Sequence, residues 1–379
     1  MDRKLNIYDI QNAYLLCLKH KKNKKGTYNF SNCELSLNLL ELLDELNNRT
    51  YVPSPSNCYI ITDPALREIY AAQFKDRVVQ HFYMHEIEPY LEKKLVRGCS
   101  SCRKGKGTDY ALTLLQDFTS MLSHNGKEDC FFLKIDLSGY FMSIDRKIVS
   151  DKFIKLINEE YNGEFKELLL YLTPIIFENN PADNCNFFGS ERIRDLVPDR
   201  RKMRKDSQYG MAIGNLTSQA GSNLNLSDFD IFVTEKLGLI HYVRYVDDII
   251  ILSRDKKKLE NALPLIIEEL KKTHQSINLK KTIIDTAYHG IKFLGKITYP
   301  YNYQKPSKTL IKRVYNKAKT IKIKSKESLL ASTNSQIGTL KRYNCRKLII
   351  QYASLLPDNV KEIVEYDKEL MKFKYYRLY

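Results

Sequence analysis

The sequence predicts an α+β fold on a split βαβ, ferredoxin-like core, and three observations carry that expectation. A compact β-prone run, Cys130–Asp136 (CFFLKID), ends in the turn-like LSGY and is followed by a helical stretch over 152–172. A second helix over 217–237 leads into LIHYVRYVDDIIILSRD. There two β-branched and aromatic runs flank Asp247 and Asp248, the pattern of a hairpin with two carboxylates at its tip. An amphipathic helix over 256–272 and a strand pair in HGIKFLGKITYP complete the alternation.

The remaining elements follow in order. Residues 38–46 (NLLELLDEL) and 78–95 carry apolar residues at helical spacing, with Pro53 and Pro55 breaking the chain between them, which predicts a helical N-terminal region. Residues 178–210 have no clean period and are rich in Asn, Asp, Pro and Arg, which reads as a long surface excursion. Its RRKMRK cluster, Arg200–Lys205, faces something acidic or simply water. After Pro306 the chain turns strongly basic and helical, as a separate small domain would.

Composition narrows the partners. The chain of 379 residues has 61 Lys and Arg against 45 Asp and Glu, a formal charge of +16. A surplus of that size favours a polyanion, either nucleic acid or an anionic membrane. No run approaches the roughly 20 apolar residues that span a bilayer, and the charged start MDRKLNIYDI lacks a signal-peptide core, so a cytoplasmic protein with no membrane partner is expected. The eight cysteines are scattered. Cys99 and Cys102 form the one close pair, and no second Cys/His pair stands where a structural zinc site would need it.

The carboxylates carry the chemistry. An Asp-Asp pair alone is more often a solvated turn, because Asp bonds its own backbone. Here an apolar strand leads into Asp136 and another into Asp247 and Asp248, and uncompensated carboxylates at the ends of buried strands are costly without a cation. Mg²⁺ takes oxygen ligands and keeps several waters, so two or three Asp plus substrate phosphates suffice, provided the two strands are neighbours. Two such ions can activate a 3′ hydroxyl and stabilise leaving pyrophosphate.

At this point the motifs resemble those of a known family. FFLKIDLSGYF is similar to the first catalytic motif of reverse transcriptases, RYVDDIIIL resembles their YxDD hairpin, and GMAIGNLTSQ lies between the two in the expected order. REIYAAQFKDRVVQ and SCRKGKGT resemble the fingers motifs of bacterial, group II intron-like enzymes; NLKKT and IKFLG resemble the later palm motif and the primer grip. The resemblance runs from about Arg67 to Pro300. It implies a right-hand polymerase with fingers, a ferredoxin-like palm and a helical thumb. The corresponding division is an N-terminal helical extension over 1–65, fingers over 66–128, palm over 129–169, a fingers insertion over 170–205, palm again over 206–302 and a basic thumb over 303–379.

Residue by residue, the resemblance makes Asp136 and Asp247 ligands of two Mg²⁺ ions (Mn²⁺ being able to substitute), with Asp248 as an accessory carboxylate and the Leu137 carbonyl as a backbone ligand. Arg103, Lys75 and Arg77 would hold the triphosphate, since guanidinium forks match phosphate oxygens. Phe141 takes the place of the steric gate against a 2′ hydroxyl, and Ile213 and Gly214 belong to the nucleotide site. Lys281 is a candidate general acid toward pyrophosphate. As bare features, the cations read equally as an exposed basic face and Phe141 and Ile213 as core.

The subtype turns on the central motif. Group II intron and retroviral enzymes carry Gln-Gly and later Ser-Pro there, whereas this chain has Ile213-Gly214 and Ser218-Gln219. The IGNLTSQ form resembles diversity-generating retroelements, which copy a template-repeat RNA into adenine-mutagenised cDNA for transfer into a target gene and use a small accessory variability protein. The implied partners are therefore template RNA, primer and cDNA, deoxynucleoside triphosphates and that accessory protein, in a bacterial or phage setting. No stretch is left over for an appended endonuclease. The alternatives are another bacterial reverse transcriptase (group II intron-like, retron-like or phage-defence) and a non-catalytic RNA-binding scaffold.

Overall fold

The structure is a computed structural model that describes residues 3–19, 30, 34–62, 65–341 and 345–376. Two compact units emerge. The first comprises residues 1–111, 133–251 and 257–284, and the second residues 112–132, 252–256 and 285–379.

In the first unit the N-terminal region is helical as expected, over Ile7–Leu18 and Leu35–Asn47. Asn6 caps the first helix by accepting from the Tyr8 and Asp9 amides while the Asp9 carboxylate accepts from the Asn6 amide, which satisfies free donors at both partners. Part of this region, residues 20–29, lies outside the described residues. The region also holds a strand, β1 (Ser56–Ile61), which the helical expectation missed. β1 pairs antiparallel with β2 (Arg67–Ala71). The long helix Phe74–Lys94 follows and buries Val78, Phe82, Tyr83, Ile87 and Leu91.

β3 (Phe131–Asp136) starts the second sheet. The helix expected over 152–172 is two helices, Arg146–Glu160 and Lys166–Phe177. The break falls at Asn162-Gly163, where Tyr161 folds back and its hydroxyl donates to Glu86 at 2.6 Å. A β-carbon at 163 would meet that hydroxyl at 2.3 Å, so any larger residue would displace the Tyr161 ring.

The 178–210 excursion is docked rather than solvated. Its strand β4 (Cys185–Phe188) runs parallel to β1, giving the sheet order β2-β1-β4. Cys58, Tyr70, Ala182, Met203 and Ala212 form a core beneath it. Glu68, only 2% exposed, accepts from the Tyr70 hydroxyl, the Arg194 guanidinium and the Met203 amide, so one buried carboxylate ties the excursion to β2. No local period announces such an anchor, because the bonds from Arg194 and Met203 span more than 120 positions.

The helix expected over 217–237 runs as Leu216–Asn225, bends at Leu226, and continues as Ser227–Ile231 and a π-helical turn over Phe232–Lys236. β5 (Tyr242–Tyr245) and β6 (Asp248–Ser253) form the expected hairpin, with Tyr245 opposite Asp248. After the helix Lys256–Lys271 comes β7 (Ile283–Thr286), and the sheet order is β5-β6-β3-β7. β6 thus lies between β3 and β5, which is the split βαβ, ferredoxin-like arrangement. The α+β class stands, and the strands bearing Asp136 and Asp248 are neighbours.

In the second unit β8 (Ile291–Phe293), β9 (Lys296–Tyr299) and β10 (Tyr303–Pro306) form an antiparallel meander. Helices Lys308–Lys319, Lys326–Lys341, Arg346–Ser354 and Asp358–Lys361 follow. Leu310, Val314 and Ala318 recur every fourth residue and join Ile337, Ile349, Tyr352 and Phe373 in a core of their own, while Lys308, Lys312, Arg313 and Lys319 stay exposed. The unit is not wholly helical: β11 (Val364–Asp367) and β12 (Lys372–Tyr375) close it as a hairpin. Among the described residues no helix is long and apolar enough to cross a membrane.

Candidate active site

The first unit carries a cleft at the end of the sheet where β3 stops and β6 begins. Asp136 and Asp247 line it together with Leu137, Phe141, Ile213 and Lys281. Asp136 is placed by its own strand, and its carbonyl accepts the Asn278 amide at 2.8 Å. The Leu137 amide donates to the Asp247 carbonyl at 3.3 Å, which stitches the two carboxylate-bearing segments directly. Val246, just before Asp247, has φ +60°, a left-handed conformation costly for a β-branched residue.

The electrostatics are those of crowded acids. Burial, then the neighbouring Asp248 and, more weakly, Asp136, push the Asp247 carboxyl up to about 6. Burial is also the largest cause raising Asp248, whose carboxylate has Lys134 at 3.7 Å. The Lys281 ammonium donates to Asp136 Oδ2 at 2.9 Å. Hard oxygen donors that repel one another fit a divalent cation of the Mg²⁺ type. Among the described residues, no three His, Cys, Asp or Glu side chains are grouped to hold an ion by themselves. Two carboxylates, a backbone carbonyl and oxygens of a substrate match such a partial cage.

The cations expected on the triphosphate are not the ones in the cleft. Arg103 forks onto Glu92, with Nη2 to Oε2 at 2.6 Å, and donates to the carbonyls of Val96 and Cys99. Its side chain is 5% exposed and does not line this cleft. Lys75 pairs with Glu45 at 2.7 Å, and the Arg77 Nε donates to the Ala72 carbonyl at 2.8 Å. Arg67, Arg200 and Arg201 line the cleft instead. Arg67 Nε is buried and has no hydrogen-bond partner, a costly state for a guanidinium and one an anion would relieve. Arg200 and Arg201 come from the short 3-10 turn Asp199–Arg201 that the docked excursion presents.

The signals for these residues were present in REIYAAQ and RRKMRK, but the sequence could not say which basic residues turn inward. Phe141 lines the cleft with its ring edge-on to Tyr140, centroids 5.6 Å apart. Ile213 lines it too, and its carbonyl accepts the Tyr70 amide at 3.1 Å. Gly214 has φ +126°, a conformation that strains any side chain, and a β-carbon would crowd Ile69 and the Tyr70 carbonyl at 3.1 Å.

Comparison with known proteins bears on this geometry. Residues 62–298 match the family described as "Reverse transcriptase (RNA-dependent DNA polymerase)". No curated protein matches the chain. Similar solved structures include apo telomerase from Candida tropicalis (TM-score 0.49, 12% identity, 80% of this chain and 57% of that one). A form of it truncated from the C-terminal domain gives TM-score 0.47 and 14% identity, over 68% of this chain and 56% of that one. Telomerase from Candida albicans in complex with a TWJ fragment of telomeric RNA gives 0.44 and 15%, over 80% and 60%. The chain therefore spans less than two thirds of the telomerase chains it resembles.

Proposed function

The chain belongs to the reverse transcriptase (RNA-dependent DNA polymerase) family, and on that footing we propose that it copies RNA into DNA at the cleft of Asp136 and Asp247. The observation that carries the proposal is the convergence of two crowded carboxylates with Arg67, whose buried Nε lacks a partner, in one cleft. Family members generally use divalent metal ions. Asp136, Asp247 and the Leu137 carbonyl would hold them, with Asp248 as an accessory carboxylate. When bound, the ions supply activation of the primer hydroxyl and stabilisation of the leaving pyrophosphate.

The chain's own residues do the rest. Arg67, Arg200 and Arg201 hold the triphosphate, where planar guanidinium forks match phosphate oxygens. Phe141 closes the space beside the sugar and excludes a 2′ hydroxyl. Lys281 holds a proton beside Asp136 and can donate it toward pyrophosphate. Ile213 supplies apolar surface, without hydrogen bonds, where the nascent pair forms. Residues 285–379 hold 20 Lys and Arg against 7 Asp and Glu, a surface suited to a nucleic-acid backbone with salt-dependent affinity.

The finer reading is mutagenic copying of a template-repeat RNA in a diversity-generating retroelement, with a small accessory protein as partner. Ile213-Gly214 in IGNLTSQ supports it. The deciding experiment is primer extension on a defined RNA with Mg²⁺ or Mn²⁺, followed by sequencing of the cDNA. Extension by the wild type, its loss in Asp136→Asn and Asp247→Asn with RNA binding retained, and errors concentrated opposite adenine are expected. Accurate copying would leave the polymerase and remove the mutagenic subtype; near-wild-type extension by either Asn variant would remove the site.

A further inference from the structure

Beneath the turn that carries Asp247 lies a buried ion pair that the cleft itself does not use. Arg244 on β5 is fully buried, as is Asp230 on the helix Ser227–Ile231. The pair is bidentate, with Nη2 to Oδ2 at 2.6 Å and Nε to Oδ1 at 2.8 Å, and the Tyr242 hydroxyl also donates to Oδ1 at 2.6 Å. A charged pair this deep is poor evidence for stability, because desolvation offsets most of its attraction and apolar replacements often serve as well. Its remaining hydrogen bonds point to what it does.

Those bonds converge on one strained peptide. Arg244 Nη1 donates to the Val246 carbonyl at 3.3 Å, and the Val246 amide donates to Ser101 Oγ at 3.2 Å. Val246 is the left-handed residue before Asp247, and both of its backbone polar groups are thus held by side chains. Asn223 links the two arms: the Ser101 hydroxyl donates to Asn223 Oδ1 at 3.1 Å, Asn223 Nδ2 donates to the Ser101 carbonyl at 2.8 Å, and Arg244 Nη1 reaches Asn223 Oδ1 at 3.4 Å. The Ser101 segment is itself fixed, since the Arg244 amide donates to the Gly98 carbonyl and the Ser100 amide to the Arg244 carbonyl, each at 2.9 Å. A β-carbon on Gly98 would fall 2.0 Å from the Tyr242 carbonyl oxygen, so this approach tolerates no side chain.

We infer that Arg244, Asp230, Asn223 and Ser101 form a clamp that holds Val246 left-handed and so sets the direction in which Asp247 presents its carboxylate. Arg244 is fully buried outside the lining of the cleft and acts through the turn; it is a positioning residue. The inference rests on the reading of Asp247 as a metal-binding residue of the polymerase cleft. It adds a dependence of that carboxylate on three segments outside its own hairpin.

The test compares wild type, Ser101→Ala, Arg244→Lys, Val246→Gly and the double variant Ser101→Ala/Val246→Gly. Three measurements apply to each: kcat and KM for single-nucleotide extension, Mn²⁺ affinity by spin-resonance titration without turnover, and thermal melting. Ser101→Ala removes one arm and leaves the ion pair intact, so it is expected to fold. Misplacing a carboxylate by a fraction of an ångström should lower its kcat by about ten- to a hundredfold and weaken Mn²⁺ binding, with nucleotide KM within about twofold. Lysine cannot span Asp230 and Val246 together, so Arg244→Lys should lose more.

Glycine adopts the left-handed conformation without strain, so in a Val246→Gly background the further loss on Ser101→Ala should shrink to a fewfold or less. Variants that melt earlier but keep wild-type kcat and Mn²⁺ affinity per folded molecule would make the network core packing and overturn the clamp. Unchanged values throughout would overturn it as well. A wild type that neither extends a primer nor binds Mn²⁺ would instead overturn the polymerase reading, and the clamp with it.

Discussion

Lys281 Nζ stands 2.9 Å from Asp136 Oδ2, an ion pair between residues 145 positions apart that neutralises a carboxylate in the cleft. A divalent ion on Asp136 competes with that ammonium. Lys281→Gln should therefore tighten Mn²⁺ binding while slowing single-turnover extension by about a hundredfold, the low end of general acid–base contributions. An unchanged extension rate would leave Lys281 as a counter-ion only.

Asp247 sets a pH dependence whose sign can be worked out. Its native pKa of about 6 exceeds the unfolded value, so the native chain holds the proton more tightly. The favourable contribution of the protonated form is complete below about pH 4 and is lost as pH rises through 6. In EDTA at pH 7.5, Asp247→Asn should therefore stabilise the protein, by at most about 3 kcal/mol for a two-unit shift. The gain should fade between pH 6 and 4. Melting curves across that range check it, and a pH-independent difference would mean that Asp247 is well solvated.

Arg67 and Arg103 should separate cleanly. Arg67→Ala removes a cleft guanidinium and should raise nucleotide KM about ten- to a hundredfold, the worth of about 1.5–3 kcal/mol for a charge-assisted bond, with little change in melting. Arg103→Ala removes the fork onto Glu92 and the bonds to the Val96 and Cys99 carbonyls, so it should cost about 3 kcal/mol of stability and leave KM near wild type. The opposite assignment of effects would return Arg103 to the nucleotide.

Phe141→Ala opens the cleft beside the sugar. Ribonucleotide incorporation should rise by about tenfold or more relative to deoxyribonucleotide, the scale of removing a steric contact from a specificity pocket. Competition assays with both nucleotide types measure it. An unchanged ratio would make Phe141 part of the packing around Tyr140.

Ile213→Gln changes a side chain whose backbone is already held by the Tyr70 amide, so the loop should keep its course. A glutamine can hydrogen-bond the nascent pair, and about 1–2 kcal/mol of added discrimination corresponds to about five- to thirtyfold fewer errors. The reduction should be concentrated opposite template adenine, with extension within a fewfold of wild type. Sequenced cDNA from both proteins decides, and an identical error spectrum would end the fidelity role.

What the sequence determined by itself was the order of the core strands β3, β5 and β6 and the aspartates at their ends. β3, β5, β6 and the helix Lys256–Lys271 were legible because period-2 and period-3.6 patterns are local. The pairing of Asp136 with Asp247 was legible only as a proviso, for strand adjacency is a long-range fact that the order β5-β6-β3-β7 supplies. Tertiary structure alone decided which cations face the cleft. Arg103 and Arg200 look alike as charges, yet Glu92 claims the first, while the excursion anchored on Glu68 delivers the second. It also decided that Arg244 lies buried beneath the aspartate turn. The burial of a charge depends on partners from distant segments, Asp230 and Asn223 here, and no local pattern encodes them.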